Sequence, residues 1–311
     1  MKAAQIIETA EGHNLVVVDI DKPHAGPDEI IVQVHAAGVT PTELIWYPTT
    51  HKKDGTVRTN AVPGHEFSGA IAEVGAAVKG FAVGDEVFGM NDWFADGATA
   101  EFCVTVPASI GPKPPNLSHT EAAAVPIGAL TAWQGLMQRA KLQVGELLLV
   151  HGGAGAVGVF AVQLGRMCGA EVIATASSKH AQFLIELGAT QVIDYKTEKF
   201  EERVRDADVV FDTVGGTTLA RSWNVLKLGG RMVTIAADVE SSTDTRAKEA
   251  FFIVEPDQQQ LIEIGDLLNR GELKVFVDTE VPLTNAPEAY AGKTPRGHGY
   301  GKVVIVVPAI T

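Results

Sequence analysis

The stretch Glu146-Leu-Leu-Leu-Val-His-Gly-Gly-Ala-Gly-Ala-Val-Gly-Val-Phe-Ala-Val-Gln-Leu-Gly165 joins a short apolar run, a glycine turn and an amphipathic segment. The apolar run 146–150 is bounded by glycines, which is typical of a buried strand. Gly153, Gly155 and Gly158 follow at the spacing G-x-G-x-x-G, and apolar side chains then recur at the spacing of one helix face. The stretch therefore predicts a strand, a tight turn and a helix.

In a dinucleotide-binding turn each glycine has its own task. Gly153 is expected to permit the tight turn, Gly155 to let the backbone approach a pyrophosphate, and Gly158 to let the helix pack closely on the strand. The N–H groups at the positive end of the helix would then face the phosphate. A second apolar strand, Glu171–Ala176, follows at the distance that a βαβ unit needs. We therefore predict a dinucleotide site.

Composition and charge narrow the possible classes of protein. The 311 residues suggest about two domains, and a hydrophobic fraction of 46% can fill two cores. The formal net charge of −13 argues against nucleic acid or an anionic membrane as a partner. We expect no signal peptide and no membrane span. The two cysteines, Cys103 and Cys168, are interpreted as buried small apolar residues, so a reduced, cytoplasmic protein is expected.

Short strands divided by Gly and Pro predict a β-rich N-terminal domain, with candidates at 14–20, 29–35, 70–75, 85–89 and 102–106. Three motifs in this region resemble the medium-chain dehydrogenase/reductase superfamily. They are Gly38-Val-Thr-Pro-Thr-Glu43, Pro63-Gly-His-Glu-Phe-Ser-Gly69 and Gly84-Asp-Glu-Val-Phe-Gly89, and Thr131-Ala-Trp133 and the glycine turn continue the match in the expected order. Within the superfamily the chain is most similar to the zinc-free quinone oxidoreductases, which include zeta-crystallin.

The resemblance implies an α/β fold with two domains and a cleft between them. A GroES-like catalytic domain, rich in β-structure, is assigned to 1–121 and 272–311, and a Rossmann NADP-binding domain with a doubly wound parallel sheet to 122–271. Further strands are predicted at 208–212, 230–235, 274–278 and 302–307. The acidic stretch 238–248 is expected to be a mobile loop. An edge of the Rossmann sheet is expected to pair with a second subunit in a homodimer.

Zinc must be considered, because alcohol dehydrogenases of the superfamily hold it with Cys, His and Cys. Here Thr40 stands at the first of these positions, His65 with Glu66 at the second, and Ile127 at the third. A catalytic zinc needs three protein ligands and a water. We therefore predict no metal, and interpret His65 and Glu66 as a turn and domain-packing pair.

The residues after the second Rossmann strand favour NADPH over NADH. An acidic residue there would hold the ribose 2′-hydroxyl, whereas Ser177, Ser178 and Lys179 offer two hydroxyls and a cation to a 2′-phosphate. Tyr195 matches a tyrosine that packs near this phosphate in the superfamily. With the residues that match the superfamily's pattern, the predicted cofactor set is Thr40, Thr131, Gly153, Gly155, Ala156, Val157, Gly158, Ser177, Ser178, Lys179, Tyr195, Val214, Ala236, Phe252, Val254 and Lys302.

The resemblance implies an enzyme that transfers hydride from NADPH to a quinone or a similar conjugated carbonyl. Without a metal, the developing oxyanion needs another donor, and Tyr47, the Thr131 hydroxyl or water could serve. Thr40 and Glu43 replace the Asn and Asp of the usual quinone-reductase pattern, so reduction of an enone or enal double bond is the alternative. A non-catalytic NADPH-binding role and zinc-dependent alcohol oxidation are the other hypotheses.

Overall fold

The structure is a computed structural model that describes residues 1–9 and 12–308. Its strands, in chain order, are β1 Lys2–Thr9, β2 Gly12–Asp19, β3 Ile30–Gly38, β4 Glu66–Val74, β5 Glu86–Met90, β6 Phe102–Thr105, β7 Ile110–Pro112, β8 Leu147–His151, β9 Glu171–Ala176, β10 Gln191–Asp194, β11 Ala207–Asp212, β12 Leu226–Thr234, β13 Val277–Pro282 and β14 Lys302–Val306.

The helices are α1 Tyr47–Thr50, α2 His119–Ala123, α3 Pro126–Trp133, α4 Gly158–Met167, α5 Ala181–Leu187, α6 Phe200–Arg203, α7 Gly216–Ser222, α8 Thr245–Ala250, α9 Gln258–Asn269 and α10 Ala286–Tyr290. Ser118 caps α2 in the capping box that its spacing to Glu121 predicts. None of the helices in the described part of the chain has the length and apolar character that crossing a membrane requires.

The chain divides into two compact units, the first formed by 1–127 and 255–311 and the second by 128–254. The predicted boundary after residue 271 differs from this division by the helix α9. This helix packs on β7, and the Asn116 side chain donates a hydrogen bond to the Leu268 carbonyl at 3.0 Å. Apolar and polar contacts with the first unit thus hold α9 there, a connection that periodicity along the chain does not reveal.

The first unit is β-rich, as predicted. Its seven-stranded sheet has the order β13-β14-β3-β4-β5-β7, with β6 also paired to β3, and β1 and β2 form a separate antiparallel pair. The apolar residues of β3 and β4, among them Ile30, Val32, Phe67 and Ile71, lie in one buried core. Strand β13 begins three residues later than predicted, because its pairing with β14 starts where Val277 meets Lys302.

The second unit contains a five-stranded parallel sheet in the order β10-β9-β8-β11-β12. This is the doubly wound order, with its topological switch point between β8 and β11. The acidic stretch 238–248, predicted to be a mobile loop, contains a 3-10 helix at Ala237–Ser241 and the start of α8, whose first turn is capped by the Asp244 carboxylate.

Candidate active site

The glycine turn lies at the switch point of the parallel sheet. His151 ends β8, Asp212 ends β11, and the two residues pair across the strands. Gly152 opens the turn with a φ of +73°, and Gly153 lies inside it, because the Gly155 N–H donates to the Gly152 carbonyl at 2.9 Å. A side chain at Gly152 would also meet the Thr213 hydroxyl 2.3 Å from its Cβ. The left-handed backbone conformation thus falls on Gly152, the glycine that immediately precedes the G-x-G-x-x-G pattern.

The glycines after the turn differ in the space around them. A Cβ at Gly153 would lie 2.9 Å from the Ala174 side chain, and one at Gly158 only 2.2 Å from the Gly152 carbonyl oxygen. A Cβ at Gly155 would meet only that same carbonyl oxygen, at 3.2 Å, and Gly155 is exposed. Gly158 is thus required for packing inside the unit, whereas the open side of Gly155 fits the approach of a ligand to the backbone.

A buried histidine that the sequence analysis missed supports the turn. His151 Nε2 lies 2.9 Å from Ser222 Oγ, and Ser222 in turn donates to the Thr218 carbonyl. Ser222 must therefore accept from Nε2–H, which leaves Nδ1 to accept from Thr175 Oγ1 at 3.1 Å. The neutral ring is fully satisfied, and burial lowers the pKa of His151 to about 3.

We expect protonation of His151 to make stability depend on pH. The unfolded histidine gains its proton near pH 6.5 while the folded one stays neutral, so the free energy of unfolding falls by about 1.4 kcal/mol per unit as pH drops below 6.5. Urea unfolding at pH 7.0 and 5.0 measures this fall for the wild type and for His151→Gln. In the variant the free energy of unfolding should change less steeply with pH, by about 1.4 kcal/mol per pH unit. Equal slopes in the two proteins would contradict a neutral His151 in the folded state.

Asp212, at the end of β11, was also missed. Its carboxylate accepts hydrogen bonds from the Thr234 hydroxyl at 2.8 Å and from the Gly215 N–H at 3.0 Å. Burial raises the pKa of Asp212 more than these donors lower it. Asp212 thus fixes the backbone that carries Val214, which is 55% exposed beyond the strand end. In the sequence, the only indication of such a buried acid is its position directly after an apolar run.

Five other predicted cofactor residues of the second unit follow strand ends, as in dinucleotide-binding sheets. Ser177, Ser178 and Lys179 come directly after β9, Tyr195 after β10, and Ala236 two residues after β12. Lys179 and Tyr195 are both exposed. Parallel strands place all of these residues at one edge of the sheet.

Asp194 lies near the predicted 2′-phosphate residues and binds one of them, Ser178. Asp194 accepts hydrogen bonds from the Lys196 N–H and from Ser178, and these donors hold the pKa of Asp194 below its usual range. Ser178 is therefore engaged by a carboxylate rather than open to a phosphate. Lys179 is the cation among the three residues after β9, so the prediction of NADPH depends mainly on it.

Of three further predicted residues of the second unit, Phe252 lies beside the end of β12, where its N–H donates to the Thr234 carbonyl at 3.2 Å. Thr131 is buried in α3, and Val254 is buried after α8. Phe252 is half-buried, with the Arg139 guanidinium 5.7 Å from its ring centroid. Their contacts with a cofactor stay predictions.

The first unit contains a buried ionic network that was not predicted, in which His65 contacts Glu43 and Glu66 contacts Lys302. Glu43 and His65 are fully buried and form a short hydrogen bond through Nδ1. Glu43 also accepts hydrogen bonds from the Gly64 N–H at 3.1 Å and the Tyr290 hydroxyl at 3.4 Å. Burial raises the pKa of Tyr290 well above its ordinary value, with the Glu43 charge adding to the effect, so Tyr290 acts as a donor.

A second buried ion pair joins Glu66 to Lys302. The Lys302 ammonium contacts Glu66 Oε1 and donates to Thr40 Oγ1 at 2.9 Å. Glu66 Oε2 accepts the Ile127 N–H at 2.9 Å. Lys302 was predicted to contact the cofactor; its ammonium group is held inside this unit by Thr40 and Glu66.

These contacts test whether zinc fits the positions at which related dehydrogenases bind it. His65 Nε2 lies 3.1 Å from the Ala95 carbonyl oxygen, which can only accept, so this nitrogen carries a proton and has no lone pair for a metal. Lys302 stands against Glu66 and Thr40, and Ile127 offers no ligand atom. Among residues 1–9 and 12–308, no group of three His, Cys, Asp or Glu side chains is arranged to hold a metal ion. The donor set does not fit zinc.

The aromatic residues after Thr40 have different surroundings. Trp46 packs edge-on against Trp93, with ring centroids 4.7 Å apart. Tyr47 stacks on His51 at 4.3 Å and remains 52% exposed. Trp46 thus has a packing role, and Tyr47 is the ring of this pair that is open to solvent.

Comparison with known proteins decides the family. The family described as "Alcohol dehydrogenase GroES-like domain" matches residues 26–131, and the family described as "Zinc-binding dehydrogenase" matches residues 187–305. A Mus musculus protein named "NAD(P)H oxidoreductase RTN4IP1, mitochondrial" is 31% identical over 328 residues, which cover 90% of this chain and 82% of the mouse protein. The chain belongs to the medium-chain dehydrogenase/reductase superfamily.

Two other proteins of known name are similar over nearly the whole chain. The "2-methylene-furan-3-one reductase" of Solanum lycopersicum is 32% identical over 303 residues, which cover 94% of this chain and 74% of the plant protein. A solved structure of the quinone oxidoreductase from Coxiella burnetii matches with a TM-score of 0.87 at 27% identity, covering 99% of each chain. The superfamily and the fold class predicted from the motifs are confirmed, and the chain is an oxidoreductase.

Proposed function

We propose that the chain is a zinc-independent, NADPH-dependent reductase of a quinone or a similar conjugated carbonyl. The observation that carries this proposal is the buried Glu66–Lys302 pair, which holds an ammonium group at the positions where related dehydrogenases bind zinc. A quinone or enone spreads the negative charge left by hydride over a conjugated system and so depends less on a metal than a simple carbonyl does. The similarity to the quinone oxidoreductase from Coxiella burnetii supports the same class of acceptor.

The second unit supplies the residues that would hold the cofactor. The open backbone at Gly155 and the N-terminus of α4 suit a pyrophosphate, and Lys179 suits a 2′-phosphate. When bound, NADPH supplies the hydride, and the protein contributes binding, orientation and exclusion of water.

We expect Lys179→Ala to weaken NADPH binding by about 10- to 100-fold and to leave NADH binding nearly unchanged. The lost contact is a charge-assisted hydrogen bond to the 2′-phosphate, worth about 1.5 to 3 kcal/mol. Isothermal titration of both cofactors measures the ratio of the two dissociation constants. Lys248→Ala, an exposed lysine of α8, is the matched control and should alter neither. Equal weakening for both cofactors would remove Lys179 from 2′-phosphate recognition.

Reduction of a carbon–carbon double bond is the second candidate, and the similarity to the Solanum lycopersicum reductase favours it. The two reactions differ in product, a hydroquinone or a saturated carbonyl. NADPH oxidation by chelator-treated protein, with a quinone panel and an enone panel side by side, tests both. Turnover that appears only after zinc is added would overturn zinc independence. NADPH binding without any turnover would favour a non-catalytic role.

The assembly and location that we propose are a homodimer in the cytoplasm. Strand β12 is at the edge of the five-stranded sheet, and its Leu228 is fully exposed, so pairing through this edge would cover both. Sedimentation velocity distinguishes the dimer from a monomer of 32.9 kDa. A mitochondrial location, which the name of the mouse relative states for that protein, is the competing location, and fluorescence microscopy of a tagged chain decides between them.

A further inference from the structure

Thr40 occupies an N-cap position without acting as a cap. It precedes the 3-10 helix Pro41–Ile45, where a threonine side chain usually accepts a hydrogen bond from the first turn, yet its side chain makes no such bond. Its Oγ1 instead accepts from the Lys302 ammonium at 2.9 Å. Thr40 is predicted from the sequence to lie near the cofactor, with no part in the chemistry.

The contact with Lys302 fixes which way the Thr40 hydroxyl points. An ammonium group can only donate, so Thr40 Oγ1 must accept, and its own proton must point elsewhere. Within the described ranges 1–9 and 12–308, this proton has no protein acceptor, and Thr40 is half-buried rather than enclosed. The hydroxyl is thus an oriented donor with an open direction.

The cation behind the hydroxyl is itself held firmly. Lys302 is 5% exposed and is paired with Glu66, which is fully buried. Glu66 is held in turn by the Ile127 N–H at 2.9 Å. A hydroxyl that accepts from a cation becomes a stronger donor, because the first hydrogen bond polarises it. Thr40 after β3, Glu66 in β4 and Lys302 in β14 thus together orient one polarised O–H group.

We propose that the Thr40 hydroxyl donates a hydrogen bond to the acceptor's carbonyl oxygen and that Lys302 is the positioning residue behind it. This inference rests on the proposed reductase function. Hydride adds two electrons to the conjugated acceptor and leaves negative charge on its oxygen, which the Thr40 donor stabilises; the proton that completes the reduction comes from water. Two other side chains were predicted as donors to the oxyanion. Thr131 is 3% exposed, and Tyr47 is 52% exposed with its ring stacked on His51.

Thr40→Val removes the hydroxyl with almost no change of shape. We expect kcat with the preferred acceptor to fall about 100- to 1,000-fold, as for the loss of one oxyanion donor, and by far more than any loss of NADPH affinity. Thr40→Ser keeps the hydroxyl and should hold kcat within about threefold of the wild type. A kcat of Thr40→Val within threefold of the wild type, or a loss of NADPH affinity as large as the loss of kcat, would overturn the proposal.

Lys302 is tested with Glu66 so that no unpaired charge is buried. The double variant Glu66→Gln/Lys302→Met should lower kcat about as much as Thr40→Val, and adding Thr40→Val to it should cost less than about twofold more, because both changes remove the same oriented donor. Losses that multiply in the triple variant would show that Lys302 does not act through Thr40.

A binding measurement separates this proposal from the proposed function. 4-Nitrophenolate carries a stable oxyanion on a conjugated ring, and its absorbance reports hydrogen bonding to the oxygen. If the wild type turns over no acceptor, the reductase function is wrong and the probe decides about Thr40. The donor role is supported if the wild type binds 4-nitrophenolate and Thr40→Val binds it at least tenfold more weakly. Equal binding by both proteins, or none by the wild type, overturns it.

Discussion

Lys302→Met should lower the free energy of unfolding by about 3 to 5 kcal/mol, the cost of leaving one partner of a buried ion pair alone. The reason is Glu66, which is fully buried and whose nearest cation is the Lys302 ammonium. Burial already raises the pKa of Glu66 above its ordinary value despite the attraction of Lys302. Without Lys302 the charged form has only the Ile127 N–H to stabilise it.

The pH dependence of this loss identifies its cause. With the cation removed, Glu66 is protonated in the folded variant and ionised in the unfolded chain above about pH 4.5. Unfolding then releases a proton, so stability falls as pH rises above that value. Lys302→Met should therefore be less destabilised at pH 5 than at pH 8, which urea unfolding at the two pH values measures.

The matched control is the pair Glu66→Gln/Lys302→Met, which removes both charges and keeps the volumes nearly constant. It should recover most of the stability and lose the added pH dependence, because replacing a whole buried pair is often close to neutral. Lys248→Met, at an exposed lysine, controls for the loss of a positive charge as such. If the double variant is as unstable as Lys302→Met, packing of the lysine stem explains the loss, and the buried charge does not.

The sequence predicted the features that are local or periodic. The apolar run before the glycines became β8, the segment after them became α4, and the spacing of Ser118 to Glu121 became a capping box. The superfamily motifs identified both folds because their residue types are tied to particular turns and strand ends. These signals need no knowledge of which distant residues meet.

The sequence could not predict the partners of buried polar groups. Glu43 lies 247 positions from Tyr290, and Thr40 lies 262 from Lys302, yet both pairs are in contact. No pattern along the chain encodes such contacts, since they depend on sheet order and register. The close contact at Gly152 has the same origin, because a Cβ there would lie 2.3 Å from the hydroxyl of Thr213, which follows β11.

The contrast between Gly155 and Gly158 provides the sharpest test of the dinucleotide site. Gly155→Val should abolish NADPH binding in a protein that still folds. The fold should survive because an added Cβ meets only the Gly152 carbonyl oxygen, at 3.2 Å. The branched side chain would then project into the space that a pyrophosphate needs. Fluorescence titration with NADPH and thermal unfolding followed by circular dichroism measure the two properties separately.

Gly158→Val should lose binding and stability together. Its Cβ would lie 2.2 Å from the Gly152 carbonyl oxygen and 2.8 Å from the Gly153 backbone, so the turn and the start of α4 must move apart. Overpacking of this kind costs about 1 to 3 kcal/mol or more. A Gly155→Val protein that binds NADPH normally would exclude this turn from the cofactor site. A glycine that is needed only for ligand approach can be replaced without destabilising the unliganded protein. A Gly155→Val protein as unstable as Gly158→Val would therefore show that both glycines serve packing.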